Sequence, residues 1–154
     1  MAWFQRRTQM ALIVVGQISM AVAGCTESPT GPLCFPTHGK ILYDSKPLAE
    51  AMVTFHPLEL IPEENNYQRP ISVTEADGTF HLSTLGVRDG ALAGEYAITV
   101  ELRELKMDGD TLVRDGKNLL PARYKDPAQS HLKYRVIEGD NEVPTIELTS
   151  KTPF

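Results

Sequence analysis

The sequence predicts an all-β fold, an antiparallel two-sheet β-sandwich, on three observations. Short segments alternate apolar and polar side chains, the period of a half-buried strand. The plainest is "GEYAITVELRE", where Tyr96, Ile98, Val100 and Leu102 share one face and Ala97, Thr99, Glu101 and Arg103 the other. Turn signals separate these segments at short intervals, among them "DSKP" at Asp44, Asp77-Gly78 and Gly139-Asp140-Asn141. No stretch after residue 40 repeats apolar residues at helical spacing. A length of 154 residues with 42% apolar content suits one domain with appendages.

The first element in chain order is not a strand. Residues 1–24 carry Arg6 and Arg7, no acid, and an apolar run from Met10 to Ala23 broken by Gly16, Gln17 and Ser19. Basic head, short apolar middle and small residues at the end are the layout of a signal peptide. The run is too short to span a bilayer, which takes about 20 apolar residues in a helix. Gly16 and an apolar pattern on all sides argue against a buried N-terminal helix. Arg6-Arg7 also suits twin-arginine export, but the fuller motif is missing.

Val22-Ala23-Gly24-Cys25 closes this run and resembles the lipobox of bacterial lipoproteins. The resemblance implies lipidation of Cys25, cleavage before it, and a membrane-anchored protein of the bacterial cell envelope facing the periplasm or exterior. A single acyl chain holds a protein only marginally, so two or three chains on Cys25 would make the anchor firm. Thr26, where an Asp would retain the protein, implies release to the outer membrane under enterobacterial sorting. A Cys25–Cys34 disulfide is the alternative use of the two cysteines. Acylation of Cys25 would leave Cys34 odd.

Residues 25–37 include "TESPTGPLCFPT", a composition that buries little and reads as a flexible tether. The domain is expected from 38 to 150. "HGKILYD" alternates up to the first turn, and "AMVTFHP" places Ala51, Val53 and Phe55 on one face. "ISVTEADGTFHLST" reads as two strands of a hairpin about Asp77-Gly78, the dipeptide favoured where both turn residues need positive φ. "HLKYRVIEG" offers Leu132, Tyr134 and Val136, and "VPTIELT" offers Ile146 and Leu148. Two long connections remain, 58–70 and 105–130. In the second, Leu112 and Val113 between "DGD" and "RDG" suggest an extra hairpin. Phe55, Phe80, Tyr96 and Tyr134 fall at core positions, and Tyr67 and Tyr124 in loops.

"HGKILYDSKPLAEAMVTFHPL", "TEADGTFHLSTLGVRDGALAGEYAITV" and "LPARYKDPAQSHLKYRVIEGDNEVPTIEL" together resemble secreted lipoproteins, abundant in planctomycete bacteria, that carry a carboxypeptidase-regulatory-like domain. The resemblance spans residues 38–149 and implies a transthyretin-like or prealbumin-like sandwich without catalytic activity. Ser45 and Glu50 depart from it, standing where such sequences often have Gly.

Charge and chemistry narrow the function. The chain has 15 basic and 20 acidic residues, and without Arg6 and Arg7 the balance is 13 to 20, a charge of −7. Such a domain lacks the basic footprint of a nucleic-acid binder and is repelled by anionic membranes, so no nucleic-acid partner is expected and the acyl chains on Cys25 must supply the membrane attachment. His38, His56, His81 and His131 show no metal-ligand spacing, although His56 and His81 could meet across strands. No G-x-S-x-G motif is present. Asp108, Asp110 and Asp115 cluster near one another without matching the calcium-loop pattern. No catalytic residue, metal or cofactor is therefore expected. An envelope protein partner, with a structural or protein-interaction role, is the preferred reading. A carbohydrate-binding module is the alternative, weakened because Trp3 leaves with the signal peptide.

Overall fold

In a computed structural model, which describes residues 33–59 and 68–151, two four-stranded sheets face each other across one apolar core. The strands are β1 (Thr37–Tyr43), β2 (Lys46–Pro47), β3 (Met52–Pro57), β4 (Ile71–Val73), β5 (Thr79–His81), β6 (Gly94–Glu101), β7 (Arg103–Asp108), β8 (Thr111–Asn118), β9 (Lys133–Val136) and β10 (Asn141–Leu148). One sheet has β10, β1 and β2 in that order, with β5 also paired to β1; the other runs β4-β3-β6-β9. β7 and β8 form a separate ribbon directly after β6. The all-β sandwich is therefore the observed architecture.

Alternation explains the core. Ile41, Phe80, Val143, Ile146 and Leu148 point inward from one sheet, and Val53, Phe55, Tyr96, Ile98, Val100 and Val136 from the other. The Phe55 ring meets Phe80 at 6.3 Å and Tyr96 at 5.8 Å, both tilted, the geometry aromatic quadrupoles favour. Burying each such ring is worth about 1.5–3 kcal/mol. The Tyr96 hydroxyl donates to the Leu92 carbonyl at 3.0 Å, the tyrosine-corner arrangement that pins a sandwich connection to its strand.

The first turn works as expected. Asp44 and Ser45 both have positive φ, 47° and 65°, as a two-residue hairpin loop of the primed type requires. Ser45 bears the steric cost that Gly would avoid, and Glu50 sits at φ 59° as well. Glu50 is compensated by an ion pair with Arg114. Ser45→Gly is accordingly expected to stabilise the domain by about 0.5–1 kcal/mol, net of the extra freedom Gly has when unfolded. A shift of the urea midpoint to lower concentration would contradict this.

Three strand assignments need correction. Asp77-Gly78 does not close a hairpin: β4 pairs with β3 in one sheet and β5 with β1 in the other. Thr74 explains the divergence, because its hydroxyl accepts the buried Ala51 N–H at 2.9 Å while its own N–H donates to the Ala51 carbonyl. That double bond ties the end of β4 to β3, and the following turn carries the chain across to β1. The two strands meet again at an Ile71–Ser83 bridge.

The second correction concerns "GEYAITVELRE", which is not one strand. β6 ends at Glu101, and the Leu102 N–H is taken by the Asn118 side-chain oxygen at 3.0 Å, so the chain leaves the sheet there and starts the ribbon. The extra hairpin expected around Leu112 is this ribbon, longer than the sequence suggested.

Third, β10 lies parallel to β1, whereas the other strand pairs among the described residues are antiparallel. Gly39 faces Val143 but Ile41 faces Ile146, a bulge that absorbs Pro144, a residue unable to donate to a ladder. At the other end of β1, Phe35 exchanges backbone hydrogen bonds with Ala91 at 2.7 and 3.1 Å. Ordered packing thus begins inside the segment read as tether.

Candidate functional site

Cys25, the lipobox, Trp3 and Tyr67 lie outside the described residues. Among the sites that can be placed are the four histidines. His56 and His81 do not meet: they belong to different sheets, and the partner of His81 is His38, directly opposite on β1. His56 Nε2 and the Thr99 hydroxyl are 2.8 Å apart, and His131 is exposed on a connection at φ 56°.

Burial, reinforced by the Arg69 charge, holds His56 below the ordinary imidazole value. The unfolded chain then binds a proton more readily than the folded one. Stability from this group is complete above about pH 6.5 and is lost as pH falls from there toward the folded value. Between pH 7 and 5 the unfolding free energy is expected to drop less in His56→Gln, which keeps a partner for Thr99, than in wild type. Equal slopes over that window would refute the assignment.

Of the three ribbon aspartates, Asp115 pairs with cations of the chain itself. Asp115 contacts Lys106 Nζ at 2.7 Å and Arg103 Nη1 at 3.8 Å, and the hydrogen bond and charge of Lys106 hold its carboxyl below the usual range. Among the described residues, no three His, Cys, Asp or Glu side chains converge to hold a metal. Cys34 is half-buried and its thiol bonds the Asp89 carboxylate. Burial raises the Asp89 pKa, but the N–H groups of Thr84, Leu85 and Gly86, at 2.8 to 2.9 Å, together with Cys34, outweigh it and lower the net value.

Tyr124 corrects another expectation. It is buried, not a loop aromatic: its hydroxyl accepts the Thr149 N–H at 2.9 Å, and the Arg123 guanidinium lies 4.6 Å from its ring centre. A short 3₁₀ helix, Ala122–Lys125, presents both residues to the end of β10. Every aromatic among the described residues is buried or half-buried, Tyr134 included, so no exposed ring platform for a sugar is found there.

The surface feature that sequence reasoning missed is apolar. Met52, Ile71 and Val73 point outward from β3 and β4, and Val73 is 57% exposed. With His81, Val87 and Arg88 they line a groove of about 370 Å³ in which Val87 is 93% exposed. The ribbon carries exposed apolar side chains of its own. Opposed pairs put Leu105, Met107, Leu112 and Arg114 on one ribbon face, and Arg114 reaches Glu50 beside Met52. Met107 is 62% exposed. Alternation alone did not show this surface, because period two puts Ile71 and Val73 on one face of a short strand without fixing which face meets solvent.

No family model, curated protein or solved structure matches this chain.

Proposed function

We propose that this protein is an exported lipoprotein of the bacterial cell envelope, anchored through acyl chains on Cys25, whose carboxypeptidase-regulatory-like sandwich binds a protein partner and performs no catalysis. The anchoring half rests on the signal layout of residues 1–24 and the lipobox ending at Cys25. The binding half rests on one observation, the exposed apolar side chains of Met52, Ile71, Val73 and Val87 around one groove, with Leu105, Met107 and Leu112 exposed on the ribbon. Monomeric soluble proteins seldom leave contiguous apolar surface of this kind exposed, and where it occurs it marks interaction sites. The sugar-binding alternative lacks a comparable feature, since no exposed aromatic lies among the described residues.

The two halves are tested separately. Cys25→Ala is expected to move the protein from the membrane to the soluble fraction almost completely, because removal of the acyl chains leaves an acidic domain with no other attachment. Unchanged partitioning defeats the anchoring claim. The wild-type protein is expected to cross-link to envelope neighbours in intact cells, and Val73→Glu and Met107→Glu, which leave the core untouched, are expected to abolish it. If both variants cross-link as wild type does, this apolar surface is not the binding surface.

A further inference from the structure

We propose that His38 and His81 form a binding site for a divalent first-row transition-metal ion. The Leu82 N–H donates to the Thr37 carbonyl at 2.9 Å, which makes Thr37–Leu82 the hydrogen-bonded pair of β1 and β5. His38–His81 is then the adjacent non-hydrogen-bonded pair, the position where opposed side chains stand closest, with Cα atoms about 4.5 Å apart. Phe80 on the same short strand points into the core, so His81 points out, and His38 shares that outer face. The two imidazoles are stacked, their centres 5.7 Å apart and their planes 24° from parallel.

The surroundings suit a cation. Asp140 Oδ1 lies 3.6 Å from His38 Nδ1. A carboxylate on that side favours the proton on Nδ1 and leaves Nε2 with a free lone pair, the outer-shell arrangement common to metal-ligating histidines. Glu142 is the register neighbour of His38 on β10, so a row of His81, His38 and Glu142 crosses three strands. The next residue on the His38 face, Lys40, pairs with Thr79 on the adjacent rung and acts on Asp77. Metal–nitrogen distances of about 2.0–2.1 Å require ligating nitrogens about 3–4 Å apart, within reach of small rotations of these rings. Imidazole selects Cu²⁺, Ni²⁺ and Zn²⁺ over Mg²⁺ or Ca²⁺. With two protein ligands the ion keeps water at its other positions and exchanges readily.

Titration of the full chain in detergent with NiCl₂, after removal of metals by EDTA, is expected to show one saturable site per chain. His38→Gln and His81→Gln should each weaken it by about tenfold or more, and Asp140→Asn by a smaller factor, as loss of an outer-shell partner does. His56→Gln and His131→Gln should bind as wild type. Paramagnetic broadening by Ni²⁺ of the wild-type imidazole signals gives a second readout that needs no substitution: those of His38 and His81 should vanish first. Absence of saturable binding, wild-type affinity in both single variants, or broadening that begins at other histidines overturns the proposal.

Discussion

Gly90→Ala is expected to destabilise the domain by about 3–5 kcal/mol, a large part of the 5–15 kcal/mol typical of a folded domain. Gly90 has φ 90°, where a side chain costs about 1–3 kcal/mol, and a Cβ there would stand 1.7 Å from the Phe35 carbonyl oxygen. The neighbour is backbone and cannot rotate away. The strand segment before β1 must therefore lift, breaking both Phe35–Ala91 hydrogen bonds, worth about 1 kcal/mol each, and uncovering buried Ala91. Urea unfolding measures the loss, and amide exchange at Phe35 and Ala91 should rise with it. A loss below about 1 kcal/mol would mean the bridge does not hold the segment down.

Asn141→Ala should cost about 3 kcal/mol, because the side chain is buried and spoken for on every polar atom. Its oxygen accepts the Ile137 N–H at 2.9 Å, and its amide donates to the carbonyls of Ile137 at 2.9 Å, Gly139 at 3.0 Å and Pro36 at 3.4 Å. The residue thus shapes the turn from β9 to β10 and joins it to the segment entering β1. Asn141→Asp separates shape from charge. At neutral pH a carboxylate would face three carbonyls in a buried site, so Asp should be worse than Ala. Its folded pKa would be raised above the unfolded value, and the variant should regain stability as pH falls through that raised value. An Asp variant as stable as wild type at pH 7 would show that the amide donors contribute nothing.

The faces of the strands were legible in the sequence; their partners were not. Period-two alternation marked Val53, Phe55, Tyr96, Ile98 and Val100 as inward, and they are buried. The Asp44-Ser45 turn was equally plain, since its geometry is set within four residues. Asp77-Gly78 misled because the same dipeptide serves a corner between sheets once Thr74 has tied the chain to Ala51. Parallel pairing of β1 with β10 joins opposite ends of the domain and leaves no local mark beyond Pro144 at its bulge. Tyr124 read as a loop aromatic because the residues that bury it, near Thr149, are remote in sequence. The opposition of His38 and His81 is invisible for the same reason, and the apolar surface required knowing that β4 lies at a sheet edge.

The parallel pair also decides how this domain would carry load. β1 is entered from the Cys25 side, and β10 runs beside it in the same direction, from Thr37↔Asn141 to Tyr43↔Leu148. Tension applied between the chain before β1 and the chain beyond β10 therefore acts along both strands in opposite senses. The ladder is strained in shear, with its hydrogen bonds stretched together, whereas a hairpin pulled at its open end parts one bond at a time. A sandwich wired in this way resists extension along its own axis, and its lifetime under tension is set by the rate at which β1 slides past β10.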